Sequence, residues 1–508
     1  MILGTSAYCE QKRCRFHELP AVWPNQFRKN TSHDALRRSG RWGLSAHARL
    51  PCLQFLRNVV SYTRSVMTAV QPEVIIIGAG AAGLSAADEL ARAGCSTLLL
   101  EARDRIGGRI WSVSQRSLPI PVELGAEFVH GDAEATFSLI RKAGTAALDA
   151  GGDHWTLRKG ALGPSEDLFS KIQHAMRATP TLKNQDMSFD QFLERDLRNH
   201  LTPEACAYAR MLAQGFDAAD TRRASARAIA EEWTGGGSVN SPQYRPLGGY
   251  GPLLTRLASE LRGSSVEMQL NTVVRTVRWS RRAVGVEGSF LGRPYETRSK
   301  RAIVTLPLGV LQGRAREAGV VRFTPALATK REALKHLAPG PVLKVILQFR
   351  TAFWEKLSGG RYRDVAFFHP REAAFPTFWT ALPIRTPLLV AWTAGPNADR
   401  LAGLDTAQIV DRALASLAEL FGHRPRIDEL LEGAWLHDWQ SDPYARGAYS
   451  YVKVGGDKAR QQLAEPLRDT LFFAGEASDT EGEAGTVAGA LQSGRRAARE
   501  VLASRRNR

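Results

Sequence analysis

"VIIIGAGAAGLSAADELARAGCSTLLLE", Val74 to Glu101, decides the fold. Val74–Ile77 reads as a buried strand of β-branched residues. The glycines Gly78, Gly80 and Gly83 follow at once and lead into a helix over Ala82–Ala93, whose apolar face is Leu84, Ala87, Leu90 and Ala91. Gly78 allows the tight turn, Gly80 lets backbone approach a pyrophosphate, and Gly83 lets the helix pack closely on the strand. The helix start, at Ala82, then turns its partial positive charge on the phosphates. A second strand, Ser96–Leu100, ends in Glu101, placed to accept both hydroxyls of a ribose and to repel a 2′-phosphate. A lone glycine motif is weak evidence. Here strand, helix, second strand and acid fall in register, and together they specify a dinucleotide site.

Working outward, 508 residues are too many for one ordinary core, and the 44% hydrophobic fraction is that of a soluble globular chain. No apolar run is long enough to span a membrane, so no transmembrane anchor is expected. The net charge of +17 suggests nucleic acid until its distribution is read. Residues 1–70 hold 11 Lys/Arg against three acids, so nearly half of the excess lies in that segment. No basic run with interleaved aromatics follows it, and no nucleic-acid partner is expected. The segment itself reads as a disordered extension: an Arg-rich transit peptide directing the protein to an organelle, or sequence upstream of a start at Met67. Five cysteines without a CxxC pair point to a reducing, cytoplasmic setting and against a disulfide framework or a metal site.

"EARDRIGGRIWS", Glu101–Ser112, separates FAD from NAD. It puts two more glycines and further arginines where an NAD enzyme would enter its next crossover helix. Gly107 and Gly108 bring backbone to a diphosphate or ribityl chain, and an arginine fork satisfies phosphate or flavin oxygens. Arg105, Gly107, Gly108 and Arg109 resemble the R-x-G-G-R motif of the flavin-containing amine oxidases, the family of monoamine oxidases, polyamine oxidases and lysine-specific histone demethylases. "VELGAEFVHG" (Val122–Gly131), "RPLGGYGPLLTRLASEL" (Arg245–Leu261), "VEMQLNTVVRTVRW" (Val266–Trp279), "RAIVTLPLGVL" (Arg301–Leu311) and "LFFAGEAS" (Leu471–Ser478) extend the resemblance from about Glu73 to Leu502.

The resemblance implies an α/β fold: a discontinuous Rossmann-like FAD-binding domain, a parallel sheet with helices, plus an α+β substrate domain of the amine oxidase type. The FAD pieces are expected at 71–147, 247–322 and 437–508, and the substrate pieces at 148–246 and 323–436, the latter with a long helix over Thr406–Phe421. It further implies that Arg103, Gly108, Arg109, Val273 and Trp439 contact the cofactor. Gly475 and Glu476 would lie along its ribityl–diphosphate region, and a helix starting near Thr486 and Val487 would point at the flavin. In monoamine oxidases a cysteine bonded to the flavin precedes the cage tyrosine; Ala448 stands there in this chain, so the FAD is expected to be non-covalent. Tyr449 matches one cage tyrosine and Thr486 replaces the other.

"GPVLKVILQF", Gly340–Phe349, carries one lysine inside an apolar strand, and an unpaired buried lysine loses its charge or reaches for solvent. The family places a lysine here, linked through a water to flavin N5, which makes Lys344 the expected reactive residue, with a role in reoxidation by oxygen. His130 is a further acid–base candidate, or a structural histidine. An alkylamine is protonated at neutral pH, and deprotonating it costs about 4.6 kcal/mol. A dry pocket lowers that amine's pKa, and the Tyr449 ring still attracts the incoming cation.

The expected activity is oxidation of a primary or secondary amine by hydride transfer to flavin N5, with imine hydrolysis and hydrogen peroxide release. The small-molecule partners would be the amine and molecular oxygen. Asp217, Glu231 and Glu232 are acids available to a polyamine, although acids on a helix are more often solvated. Two alternatives stay open: a C–C dehydrogenase of the porphyrinogen oxidase or carotene desaturase type, and a catalytically silent FAD-binding scaffold.

Overall fold

The computed structural model describes residues 71–235, 241–422 and 424–506. The N-terminal extension, and with it the choice between transit peptide and upstream sequence, lies outside the described residues.

Strand β1 (Val74–Ile77) is wholly buried, and helix α1 (Ala81–Arg92) starts within one residue of the expected position. Strand β2 (Thr97–Leu100) pairs parallel with β1, Val74 opposite Thr97. Strands β3 (Val266–Gln269), β4 (Arg301–Val304) and β5 (Leu471–Phe473) join from distant parts of the chain, giving the order β3-β2-β1-β4-β5, all parallel. Every residue of β1, β2, β4 and β5 is buried, which is why they read as continuous apolar runs rather than alternating ones.

Helix α2 (Val487–Arg506) lies against α1. Gly494 makes that contact: a Cβ there would stand 2.2 Å from the Ala82 carbonyl oxygen. Ser85 Oγ also donates to the Leu491 carbonyl at 2.8 Å. On the other face, Ile75, Ile77, Leu98 and Leu100 pack on a four-stranded sheet built from 272–299 and 322–324.

A seven-stranded sheet carries the rest of the site. Its middle strands, Val342–Phe349 and Leu388–Ala394, run antiparallel, Lys344 opposite Trp392. The strand period of two sorts the side chains: Leu343, Val345 and Leu347 pack under helix Thr406–Phe421, and Lys344 and Ile346 point the other way. The expected helical stretch holds helices Phe189–Arg195, Pro203–Gly215 and Ala226–Thr234 around buried Phe189, Phe192 and Trp233.

Candidate active site

The carboxyl ends of β1 and β2, with Thr305 just past β4, open onto a cavity of about 1500 Å³. In parallel sheets this is the end where ligands bind. At its nucleotide end backbone does the shaping. Gly78 has φ +108°, and a Cβ on Gly83 would lie 1.8 Å from the Gly78 carbonyl oxygen, so both positions admit only glycine. Gly83 packs helix on turn and does not line the cavity, whereas Gly78, Gly80 and Ala82 do. Gly80 precedes α1 without any side-chain cap, and a Cβ there would meet nothing closer than 3.9 Å. The first-turn N–H groups are therefore open to an anion.

Glu101 is held beneath the turn, its carboxylate accepting from Ala79 N at 2.8 Å and Arg103 N at 2.9 Å. Arg103 lines the cavity, paired with Asp442 at 2.6 Å. Arg105 behaves differently from the motif reading. Its guanidinium stacks 4.3 Å over Trp111 and donates to the carbonyls of Ile106 and Ile110, so it braces the glycine turn from outside the cavity lining. Gly108 and Arg109 face in. Arg109 donates to the Ala448 carbonyl and pairs with Glu476 at 3.0 Å. Burial alone would raise the Glu476 pKa, but Arg109 and Arg460 prevail and hold it below the usual range. Gly475, at φ +127°, has nothing within 4 Å of where a Cβ would stand, since that space is cavity. Val273, Trp439, Thr486 and Val487 also line it, and Trp439 Nε1 donates to the Leu124 carbonyl at 2.9 Å.

This donor set fits FAD. Bare glycine backbone at the strand ends, a ribose-height acid and the uncapped start of α1 suit an elongated dinucleotide, and Ala448 presents no nucleophile for a covalent bond. A 2′-phosphate would meet the Glu101 carboxylate.

The far end of the cavity is built from side chains. Lys344, buried in its strand, donates to the Gly125 carbonyl at 3.1 Å and pairs with Glu127 at 2.6 Å. Glu127 in turn pairs with Arg245 at 2.8 Å and accepts from Trp379 Nε1 at 3.0 Å. Burial would raise the Glu127 pKa; the two cations instead bring it down to about 2. Lys344 is thus met by a counter-ion rather than reaching solvent, through an acid and an arginine that no strand pattern singles out. The only local signal was an acid inside the otherwise apolar "GAEFVH".

Tyr449 lies in the cavity wall with its hydroxyl donating to the Phe216 carbonyl at 2.6 Å, and burial drives its pKa far up, so it remains a neutral ring. Trp392 stands in the same wall, its Nε1 bonded to the Gly215 carbonyl at 2.8 Å. His130 also lines it; burial lowers its pKa to about 4, and its Nδ1 is buried without a hydrogen bond. Asp217 is buried too, with Oδ2 unbonded. Burial and the neighbouring Glu232 push its pKa well up, against the pull of Trp233. Glu231 and Glu232 line the same cavity from more exposed positions.

The sequence pattern of flavin containing amine oxidoreductases matches residues 81–502. Polyamine oxidase 2 of Arabidopsis thaliana is 30% identical over 85% of this chain and 89% of its own length. Lysine-specific histone demethylase 2 of Homo sapiens is 29% identical over 85% of this chain, which spans about half, 53%, of that relative. The solved cyclohexylamine oxidase of Brevibacterium oxydans IH-35A shares the fold, with a TM-score of 0.71 over 86% of this chain and all of its own, at 20% identity.

Proposed function

The chain belongs to the family of flavin containing amine oxidoreductases, with FAD as its cofactor, and from that premise we propose that it oxidises an aliphatic amine carrying a second positive charge. The observation that carries the reading is one cavity with a glycine cradle for the dinucleotide at one end and a buried lysine, an aromatic wall and buried acids at the other.

FAD held by Gly78, Gly80, Ala82, Arg109 and Gly475 would supply a hydride acceptor for the carbon next to the amine nitrogen and a two-electron donor to oxygen. The residues prepare that chemistry. Tyr449 and Trp392 offer ring faces to an incoming ammonium and, being poor solvators of charge, favour its loss of a proton. His130, neutral because buried, holds a free ring nitrogen that can take a hydrogen bond from the substrate. Asp217, with its Oδ2 unbonded, gains most from a second ammonium, which would restore its ionised form. Lys344 supplies a fixed cation where electrons leave for oxygen. The start of α2 adds its partial positive charge.

The test is peroxide release over a panel of mono- and diamines, run on the wild-type protein and on Lys344→Met. Loss of roughly a hundredfold or more in the variant, with FAD still bound, is expected. A yellow protein inert to every amine would overturn the reading in favour of a C–C dehydrogenase or a silent scaffold.

A further inference from the structure

Lys344 has three N–H donors and two have partners: the Gly125 carbonyl and Glu127. The third has no partner among the described residues, and Lys344 lines the cavity. What fixes its direction is Glu127, which itself is held from three sides. Arg245 grips it at 2.8 Å and is tied in turn to the carbonyls of Thr380 and Leu382; Trp379 Nε1 donates to it; Lys344 closes the set. The lysine side chain is 4% exposed and its partners 13% and 12%, so the three charges sit together away from bulk water. Both oxygens of Glu127 are already engaged, and the carboxylate is not offering itself to a substrate amine.

We propose that Glu127 is a positioning residue for the reaction: it serves as the counter-ion of Lys344 and aims the lysine's free N–H into the cavity, with Arg245 locking the carboxylate in place. The inference rests on the reading of the cavity as a flavin amine oxidase site and adds to it a residue which acts only through Lys344. A buried cation stripped of its counter-ion, with Arg245 still nearby, is in an unfavourable field. It relaxes by shedding its proton or swinging away. The other titratable group set against this cluster is Glu123, whose carboxyl burial holds up near 7 and which is bonded to Ser112 and to Tyr250 N.

The experiment needs no amine substrate. FAD in the purified protein is reduced by light with a sacrificial tertiary-amine donor in the absence of air, mixed with oxygen, and followed by absorbance across a pH series, for wild type, Glu127→Gln, Glu127→Asp, Lys344→Met and the Glu127→Gln/Lys344→Met pair. The midpoint potential of the bound FAD is read alongside. Glu127→Gln is expected to slow reoxidation roughly tenfold or more near neutral pH. The loss should shrink on acidification, which recharges the lysine, and Glu127→Asp should restore most of the rate. In the Lys344→Met background, Glu127→Gln should change nothing further. A Glu127→Gln protein that holds FAD with wild-type potential and reoxidation overturns the proposal, as does a loss that persists without Lys344. Loss of FAD from both Glu127 variants overturns it too, by making the residue one the fold needs. Wild-type protein that takes up no FAD would instead bring down the reading of the cavity.

Discussion

The two ends of the cavity are built by different means. At the end proposed for the nucleotide, Gly78, Gly80, Ala82 and Glu101 come from a single run of the chain, and the groups offered are backbone N–H groups set by φ/ψ. At the end proposed for the reaction, Lys344, Glu127, Arg245, Asp217 and Tyr449 come from separate segments, and the groups offered are side chains whose charge depends on one another. The first is steric and tolerates almost no substitution. The second is electrostatic, and should respond to substitution by graded, pH-dependent changes.

The sharpest way to break this contrast is Gly83→Ala. The added methyl would stand 1.8 Å from the Gly78 carbonyl, backbone that cannot move without dismantling the turn. Protein without FAD, or none that is soluble, is expected. Gly94→Ala, which meets nothing within 4 Å and bears only the strain of φ +61°, should cost about 1 kcal/mol and keep its colour. Equal FAD content in both would show that the turn is not the steric cradle described.

At the reactive end, Asp217→Asn should act on one substrate class and spare the fold. KM for a diamine is expected to rise roughly thirtyfold or more, the cost of losing a buried charge partner, with little change for a monoamine of the same length. Parallel changes for both amines would mean that Asp217 does not meet the second charge.

A pH-dependent effect on stability concerns Glu123, a buried acid bonded to Ser112 and to Tyr250 N. Burial raises its pKa from 4.5 to about 7, against the pull of Ser112, Lys344 and the Tyr250 N–H. Between those values the folded protein binds more protons than the unfolded chain, so this residue's contribution is full below pH 4.5 and is lost as pH rises through about 7. The loss is about 3 kcal/mol at most. Urea denaturation of Glu123→Gln should give a flatter dependence of stability on pH across that window than wild type. An unchanged slope would place the proton elsewhere.

Legibility followed the same divide. The strand–turn–helix at Val74–Arg92 appears within a residue of its expected bounds, because its determinants are neighbours in the chain. The Thr406–Phe421 helix appears with the expected bounds, stopped at Gly422 and started by an Asp405–Gln408 capping box. Lys344 stood out as a cation in an apolar strand. Arg105 belongs to the motif, and Trp111 and two turn carbonyls hold it outside the cavity lining, a placement its motif position does not show, since an arginine's partner is chosen by what lies within reach of a long side chain. Asp217 sits in a helix-rich stretch where an acid reads as solvated, and its burial appears only in the folded chain.

By itself the sequence determined the first strand, the glycine turn and the helix that follows, because φ/ψ limits and hydrophobic period are local properties of a chain; the full parallel sheet and the choice of FAD came from the family resemblance. The tertiary structure alone decided that Glu127 and Arg245 meet Lys344 and that one oxygen of Asp217 is buried unbonded among the described residues. Charge in a dry interior is set by whichever groups the fold brings within a few ångströms, across 217 positions of chain from Glu127 to Lys344, and no local pattern encodes that distance.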